Sequence, residues 1–417
     1  MLKQFKLIIF FAGFFSSAIF AQLDSLAGKA VEVSPKLKML QAKFDAAKSK
    51  AVQVSNLPDP TLTLGLMNLP INSFSFTQEP MTGKLIGLSQ QFPFPGKLSA
   101  SGEISNKDAE IIQQEILDAK NEIIKNIKQK YYELSFVNKS IAITEQTKLL
   151  YKNIYEVAKA RYEVSEGSQQ NILKVDLELT SLNDKLSELK SKQASLIAEI
   201  TSSLLQPSDS KIQVSELEDL NFINLSIQQL DSIAIENRPF LAGVIIAKQK
   251  ATLQKSLAEY QYYPDFNITV QYAQRDRIAK TNTPLDDFLS FMIGITLPLN
   301  YGGKNSAKVE ESIEMENFYA EQYNLALQSL NTSFGTSLAK LKSIEERIKL
   351  IKEVWLPQVS QTFSSTLSGY QVGSVDFINV VDVQNKQYDL QINLYKLKKD
   401  YLSEISELEF LTGAKLK

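Results

Sequence analysis

The sequence predicts a mainly α-helical protein that also carries membrane-spanning β-strands, arranged as two tandem repeats of helix, strand, strand, helix, tip and helix. Three observations predict this fold. Matching landmarks recur after about 205 residues in a chain of 417 residues. Short runs alternate between apolar and polar residues, which is the period of a β-strand. Longer segments carry apolar residues at heptad spacing, which is typical of coiled-coil helices.

The first segment, residues 1–21, has the pattern of a secretory signal peptide. Lys3 and Lys6 form a short positive region, an apolar run follows from Leu7 to Phe20, and Ala21 supplies a small residue for cleavage. The apolar run is too short to cross a bilayer comfortably as a helix, which needs about 20 residues. A retained anchor helix is the alternative. We therefore expect an exported mature chain, without a lipid anchor on an N-terminal cysteine.

The composition argues against several classes of function. The chain has no cysteine and no histidine, which removes disulfides, thiol nucleophiles, the commonest metal ligand and the commonest general base. Its 45 Lys and Arg residues are balanced by 47 Asp and Glu residues, so a basic surface for nucleic acid is not expected. The sequence therefore predicts neither an enzyme, nor a resident metal or cofactor, nor a nucleic-acid partner.

The repeats occupy residues 22–210 and 237–417 and share ordered landmarks. Each repeat has a helix opened by proline, a Pro-Asp pair, two strand-like runs, a Gly-Lys turn and a tyrosine at a break in a long helical pattern. The paired landmarks are Pro35 and Pro239, Asp59 and Asp265, Lys97 and Lys304, and Tyr162 and Tyr370. Their nearly constant interval indicates a tandem duplication. The linker, residues 211–236, interrupts the heptads and is predicted to pack as a belt around the helices.

Four strands are predicted, each with an apolar face and a small or polar face. They span about residues 61–69, 84–93, 265–273 and 288–298. Ile268 and Ile293 belong to the apolar faces. An ordinary soluble sheet with one face on a core has the same alternation. Two features favour membrane strands. The runs are about nine to eleven residues long, which is the length that a tilted strand needs to cross a bilayer, and no segment is evident that would cover the apolar faces.

The polar strand residues are predicted to face water inside a barrel. They include Ser89, Gln91, Thr269 and Gln271. Four strands do not close a barrel alone, because open edges would leave backbone groups unpaired in lipid. The smallest bacterial barrels have eight strands, so several copies of the chain must share one barrel. A homotrimer supplies twelve strands, an even number with room for a lumen.

Two long helical hairpins are predicted, over residues 99–205 and 304–412. In the first hairpin, apolar residues follow heptad spacing at Ile172, Val175, Leu179, Leu182, Leu186 and Leu189. The predicted helix from Ser99 to Arg161 would be about 95 Å long. A rod or tube accommodates two such hairpins, whereas a compact globule does not.

Short breaks join the helices of each hairpin at exposed tips. Gly167 and Gly373 lie in these breaks, and we expect them to supply the positive φ that glycine accepts without steric cost. The residues predicted to be exposed at the tips for contact with a partner are Val164, Ser165, Gly167, Val372, Gly373 and Ser374.

The duplication, the two strand pairs and the two tip sequences resemble the outer-membrane efflux proteins, the family typified by the TolC channel. The resemblance covers essentially the whole mature chain. It implies a homotrimer with a twelve-stranded barrel in the outer membrane, surrounded by outer-membrane lipid. It also implies a twelve-helix periplasmic tunnel, which docks a periplasmic adaptor protein and an inner-membrane pump at the helical tips.

One pair of motifs indicates a branch of that family. Leu57-Pro58-Asp59-Pro60 together with Phe92-Pro93-Phe94-Pro95-Gly96-Lys97 resembles the branch that serves heavy-metal and cation efflux pumps. The sequence departs from many members of that branch because it has no cysteine for lipid attachment after the predicted signal peptide. Anchoring would then depend on the barrel alone.

The resemblance also implies a pore constriction after the second tip. Asp382 matches a position where the typical member has a ring of aspartates, and Asn379, one turn earlier, stands where the typical member has another aspartate. Three copies of Asp382 would favour cations, as acidic rings in pores do. Because Asn379 is neutral, we expect a weaker constriction. A solvated charge on a helix face is the alternative for Asp382.

Two other functions stay open beside the channel. An exported coiled-coil adaptor or structural protein without channel activity would explain the hairpins, but it leaves the alternating strands without a purpose. An enzyme on a helical scaffold is disfavoured by the composition. Membrane fractionation distinguishes the adaptor from the channel, because only the channel requires detergent for extraction.

Overall fold

The computed structural model of the protein describes residues 22–208, 210–217 and 220–416. The predicted signal peptide, residues 1–21, lies outside these described residues. In chain order the elements are α1 (22–33), α2 (Pro35–Ser55), β1 (Thr61–Met67), β2 (Gly83–Phe92), α3 (Lys97–Glu163), α4 (Gln169–Ser203), α5 (Ile227–Asn237), α6 (Pro239–Tyr260), β3 (Phe266–Gln274), β4 (Phe288–Ile295), α7 (Lys304–Leu350), α8 (Leu356–Gln371) and α9 (Phe377–Thr412). The predicted order of helix, strand, strand, helix, tip and helix is confirmed in both halves of the chain.

The chain divides into two compact units, each built from both repeats. Of the described residues, the first unit contains 22–38, those within Ile116–Pro239, and 326–416. The second unit contains Met39–Glu115 and Phe240–Leu325. The strands therefore belong to the second unit, and the helical tips belong to the first.

The four strands of the second unit form an antiparallel sheet in the order β1-β2-β3-β4. The central pair, β2 and β3, joins the two repeats, whereas β1 and β4 form the edges. β1 ends at Met67 rather than at residue 69, because Asn68 turns the backbone to a φ of 51°. β4 ends at Ile295 rather than at residue 298, ahead of Pro298, which has no N–H for a ladder hydrogen bond.

The hairpins of the first unit pack through the apolar stripes that the heptads predict. In the first hairpin, Ile127 and Leu134 of α3 share a buried cluster with Leu189 and Leu196 of α4. In the second hairpin, a matching buried cluster contains Ile348, Ile351, Leu390, Leu394 and Leu397. Burial of these stripes is the main source of stability for such helices, since isolated helical propensity is weak in water.

The second hairpin contains an irregularity that the sequence analysis missed. Between α7 and α8 the helix widens into a π-helical turn, Ile351–Trp355. Pro357 follows in the first turn of α8. Proline has no N–H and its ring clashes with the carbonyl four residues earlier, so a regular α-helix is disrupted just before it. The wider turn accommodates this disruption while the helix continues.

The linker lies against helices of the first unit. The Ser215 N–H donates to the Tyr131 hydroxyl at 3.0 Å, and the Ser135 hydroxyl donates to the Ser215 carbonyl at 2.6 Å. Further along, the Ile223 N–H donates to the Tyr401 hydroxyl at 2.9 Å. These bonds attach the extended segment before α5 to both α3 and α9.

Candidate functional site

One face of the sheet carries the polar residues that were predicted to line a lumen. The register places Ser89 opposite Thr269 and Gln91 opposite Asn267, and Gln271 lies on the same face two residues further along β3. The Ser89 and Thr269 hydroxyls are 2.9 Å apart, and the Ser89 hydroxyl donates to Asn267 Oδ1 at 2.9 Å. These hydrogen bonds join β2 to β3. Because the side chains on this face are polar, the face can stay in contact with water.

The opposite face of the sheet is apolar and exposed. Its residues include Leu62, Leu64, Leu66, Ile86, Leu88, Ile268, Val270, Phe291, Ile293 and Ile295. Phe291 is 72% exposed and Ile293 is 73% exposed, so no part of the described chain covers them. Contiguous apolar patches of this kind on a protein surface mark contact with a membrane or with another protein. A soluble sheet that buries this face in its own core does not fit these exposures.

The two tips have the same backbone geometry. In each tip, two N–H groups bond back to the carbonyls of the last helical turn, as in a Schellman motif. The residue with positive φ is Ser165 in the first tip, at 64°, and Gly373 in the second tip, at 80°. Ser165 is therefore the structural counterpart of Gly373.

The prediction that Gly167 supplies a positive φ is wrong. Its counterpart in the second tip is Val375, two residues beyond the left-handed position. The left-handed position is set by its distance from the last helical carbonyls, so it falls on Ser165 although a glycine stands nearby. Gly167 has a different constraint, because a Cβ there would lie 3.2 Å from the Arg161 Cβ.

The predicted contact residues of the tips are uncovered within the described chain. Val164 is 65% exposed and Val372 is 79% exposed. Ser165, Gly373 and Ser374 are exposed as well, and Gly167 is half-buried. Each tip therefore presents one exposed valine that is available to a partner.

Arg161 links the two tips, which the sequence analysis missed. Its guanidinium donates to the carbonyls of Tyr370 and Gln371, and it lies 5.1 Å from the centre of the Tyr370 ring. It also donates to the Glu166 carbonyl of its own tip at 3.2 Å. Basic side chains in the last helical turn commonly donate hydrogen bonds to free carbonyls. The position of Arg161 in that turn was the sequence feature from which this contact could have been predicted. The second tip has Gly369 at the equivalent position, which carries no side chain to bind the carbonyls of the first tip.

Asn379 and Asp382 lie one turn apart on the uncovered face of α9, while Val380 and Val381 between them are fully buried. The uncovered stripe consists of Asp376, Asn379, Asp382, Lys386 and Asp389. Their spacing of three and four residues is the signal that would have added Asp376 and Asp389 to the predicted pair. Lys386 lies 5.3 Å from the centre of the Trp355 ring. With three aspartates against one lysine, the stripe is mainly acidic.

A buried polar network lies beside this stripe. Tyr151 of α3 is fully buried and donates its hydroxyl to Asn385 Oδ1 of α9 at 2.7 Å. Asn385 in turn donates to Glu178 of α4 at 3.4 Å, and Glu178 pairs with Lys174 at 3.2 Å. Burial raises the pKa of Tyr151, and the nearby carboxylates of Glu178 and Asp382 raise it further. The tyrosine therefore stays neutral and connects three helices near the tips.

A second buried polar cluster lies where the sheet meets the helices of its unit. Lys97 Nζ lies 2.8 Å from Asp265 Oδ1 and donates to the Tyr263 carbonyl at 3.1 Å. The Phe94 N–H also donates to Asp265 Oδ1, at 2.7 Å, and the Phe94 ring stacks on Tyr263 at 4.5 Å. The side chains of Lys97 and Asp265 are 9% and 22% exposed. This cluster joins the end of the first strand pair to the start of the second.

Removal of the lysine from this cluster is expected to weaken the fold. Lys97→Met leaves the Asp265 carboxylate largely buried without its cation, and breaking a buried pair in this way costs about 3–5 kcal/mol. The matched control is Lys185→Met, since Lys185 forms an exposed pair with Glu188, and exposed pairs are worth about 0.2–1 kcal/mol. Thermal unfolding of the purified proteins, followed by circular dichroism, measures both. Equal stability of the two variants would contradict the assignment.

Within residues 22–208, 210–217 and 220–416, no group of three His, Cys, Asp or Glu side chains is placed to hold a metal ion. In the same part of the chain, no helix is both long enough and apolar enough to span a bilayer.

Comparisons of the sequence and of the structure both find outer-membrane efflux proteins that are similar to this chain. The chain matches the family profile described as outer membrane efflux protein over residues 26–204 and 230–414. Outer membrane protein TolC of Vibrio cholerae is 21% identical, and the match covers 96% of this chain and 93% of that protein. Cation efflux system protein CusC of Escherichia coli O157:H7 is 20% identical, over 70% of this chain and 63% of CusC. The crystal structure of outer membrane protein VceC of Vibrio cholerae has a TM-score of 0.78 at 16% identity, and covers 95% of this chain and 97% of VceC.

Proposed function

Because this chain belongs to the outer membrane efflux protein family, we infer that it is the outer-membrane channel of a tripartite efflux system. The observation that carries this inference is the sheet, with one face apolar and uncovered, the other polar and hydrogen-bonded, and two free edges. A sheet of this kind is stable in a membrane only after its edges are paired. Three copies supply the strands for a closed barrel, and the protein is therefore a homotrimer.

The two faces of the sheet have separate roles in this barrel. The apolar face, which includes Ile268 and Ile293, contacts outer-membrane lipid. The polar face, which includes Ser89, Gln91, Thr269 and Gln271, lines a water-filled lumen, because barrel strands alternate between lipid and lumen. The helical hairpins lie in the periplasm.

The tips connect the channel to its partners. Val164 and Val372 are exposed apolar residues at the ends of the hairpins, and they contact a periplasmic adaptor protein that links the channel to an inner-membrane pump. Ser165, Gly167, Gly373 and Ser374 form the turns that present these valines. Apolar side chains that become fully buried at the centre of a contact commonly supply most of its binding energy.

The acidic stripe of α9 forms the entrance on the pump side. In a trimer, three copies of Asp382 and of its neighbour Asn379 lie around one axis, and the remaining acids of the stripe add negative charge. Such a ring favours cations and slows anions. This charge agrees with the cation efflux that the name of the relative CusC states for CusC, and we propose cations as the cargo of this chain.

Reconstitution tests the proposed function. We expect the protein to require detergent for extraction from the outer membrane, to purify as a trimer, and to conduct ions in planar bilayers with a preference for cations. Asp382→Asn is expected to reduce that preference without changing the amount of trimer. A protein that is released with the soluble periplasmic fraction and produces no conductance would instead be an exported adaptor or structural protein.

A further inference from the structure

We propose that Lys304 of one copy forms an ion pair with Asp59 of the next copy, and that this pair sets the register in which β4 of the first copy joins β1 of the second. The proposal rests on the trimer of the proposed function. It goes further, because it names the residues and the strand pairing that close the barrel.

The starting observation is the buried cluster of Lys97 and Asp265. Lys97 is the first residue of α3 and follows β2, whereas Asp265 directly precedes β3. The two strands pair with each other within one chain, and the ion pair of 2.8 Å lies at the end of that pairing. A lysine from one repeat and an aspartate from the other therefore mark the junction between the repeats.

The same two residue types occur at the equivalent places on the free edges. Lys304 is the first residue of α7 and follows edge strand β4, and Asp59 precedes edge strand β1 in a second Pro-Asp pair. Both residues are exposed, unlike Lys97 and Asp265. The chain thus carries a complete copy of the junction, divided between its two edges. Only a second copy of the chain brings the two parts together.

The neighbouring residues repeat the comparison. Phe94 and Tyr263 stack within the junction of one chain. Tyr301 stands three residues before Lys304, as Phe94 does before Lys97. Leu57 stands two residues before Asp59, as Tyr263 does before Asp265. Tyr301 is 82% exposed and Leu57 is 48% exposed. An aromatic ring and an aliphatic side chain are therefore available to cover the second ion pair.

The two junctions also differ in the length of one segment. The segment between β4 and α7 has two more residues after its proline than the segment between β2 and α3, in the sequences from Pro298 to Lys304 and from Pro93 to Lys97. The extra residues form a short 3-10 turn, Tyr301–Gly303. Lys304 starts its helix directly after this turn, as Lys97 starts α3, and the two lysines are equivalent in this respect.

The register follows when the pairing of β2 with β3 is transferred to β4 and β1. In the chain, the apolar residues Leu88 and Val270 face each other, as do Ile86 and Tyr272. When β2 is aligned on β4 at Pro93 and Pro298, and β3 on β1 at Asp265 and Asp59, the equivalent pairs between copies are Ile295 with Leu62, Ile293 with Leu64, and Phe291 with Leu66. Each pair joins two exposed apolar side chains, so the apolar face continues across the boundary between copies.

The ion pair is what distinguishes this register from its neighbours. A slip of one residue would place apolar side chains on the polar face, which patterning excludes. A slip of two residues keeps the faces and moves the strands by about 7 Å. Hydrophobic matching differs little between the original register and the register shifted by two residues. In the shifted register, however, Lys304 no longer reaches Asp59. A charged pair at one end therefore selects one register among those of equal parity.

Engineered disulfides test the register, since the chain has no cysteine of its own. Residues directly opposite on antiparallel strands have Cα atoms about 4.5–5.5 Å apart, within the range of a disulfide, whereas diagonal residues are about 7–8 Å apart. We expect the pair Leu64→Cys and Ile293→Cys to yield covalent trimers after mild oxidation. The control pairs combine Leu64→Cys with Phe291→Cys or with Ile295→Cys, and each is expected to yield at least about fivefold less.

A charge exchange tests the ion pair itself. Asp59→Lys and Lys304→Asp alone are each expected to lower the temperature at which the trimer dissociates in detergent, and the double variant is expected to recover it. A double variant no better than the worse single variant would overturn the ion pair. A trimer that cross-links best through a control pair would overturn the register and leave the proposed channel intact. A protein that stays monomeric in the outer membrane would overturn the proposed trimer as well.

Discussion

Ile293→Arg and Ile268→Arg are each expected to abolish assembly of the protein in the outer membrane. The two residues face each other on the apolar side of the sheet, and Ile293 is 73% exposed. An arginine on the lipid face of a barrel costs about 2–4 kcal/mol near the bilayer midplane. Since a trimer contains the substitution three times, the total cost is comparable to the stability of a typical domain, about 5–15 kcal/mol.

The control for this prediction is Thr269→Lys. Thr269 is the neighbour of Ile268 in β3, but its side chain lies on the polar face and contacts the Ser89 hydroxyl. A lysine there remains in water, so we expect normal trimer. The measurement is the yield of heat-modifiable trimer in the outer-membrane fraction. If the arginine and lysine variants give the same yield, the two faces of the sheet are wrongly assigned.

Val372→Glu is expected to abolish efflux while the trimer remains folded and inserted. Val372 is 79% exposed at the second tip, so the substitution removes no buried contact within the chain. A residue at the centre of a protein interface contributes about 2 kcal/mol or more, and its loss weakens binding by about thirtyfold or more. A charged side chain in the same place must also be desolvated, which increases the loss. The adaptor would then fail to dock.

Cargo resistance of cells, measured together with trimer abundance, tests this prediction. The matched control is Ser365→Glu, an exposed position on the same helix two turns before the tip. Gly373→Glu is a harsher variant, because Gly373 has a φ of 80° and a Cβ there would lie 3.2 Å from Arg161. If Gly373 is only a helix terminator, its substitution lowers abundance and resistance together. Full resistance at normal abundance in Val372→Glu or Gly373→Glu would refute the docking assignment.

Features that depend on local periodicity can be predicted from the amino-acid sequence alone. The alternation in β3 places Ile268 and Thr269 on opposite faces of a strand, whatever the strand pairs with. The heptads likewise indicate that Leu189 and Leu196 face a neighbouring helix, and both are buried. The order of elements followed from the same patterns, because each element requires only residues that are close together along the chain.

Contacts between residues that lie far apart in the sequence become evident only in the folded chain. Arg161 holds carbonyls of the second tip, Lys97 of the first repeat pairs with Asp265 of the second, and Ser165 rather than Gly167 takes the left-handed position. The first two contacts depend on which strands and helices become neighbours, and the third depends on where the last helical carbonyls need partners. No periodicity encodes these choices, because they are settled by hydrogen bonding and packing between segments that lie far apart in the sequence or by the closing geometry of a single turn.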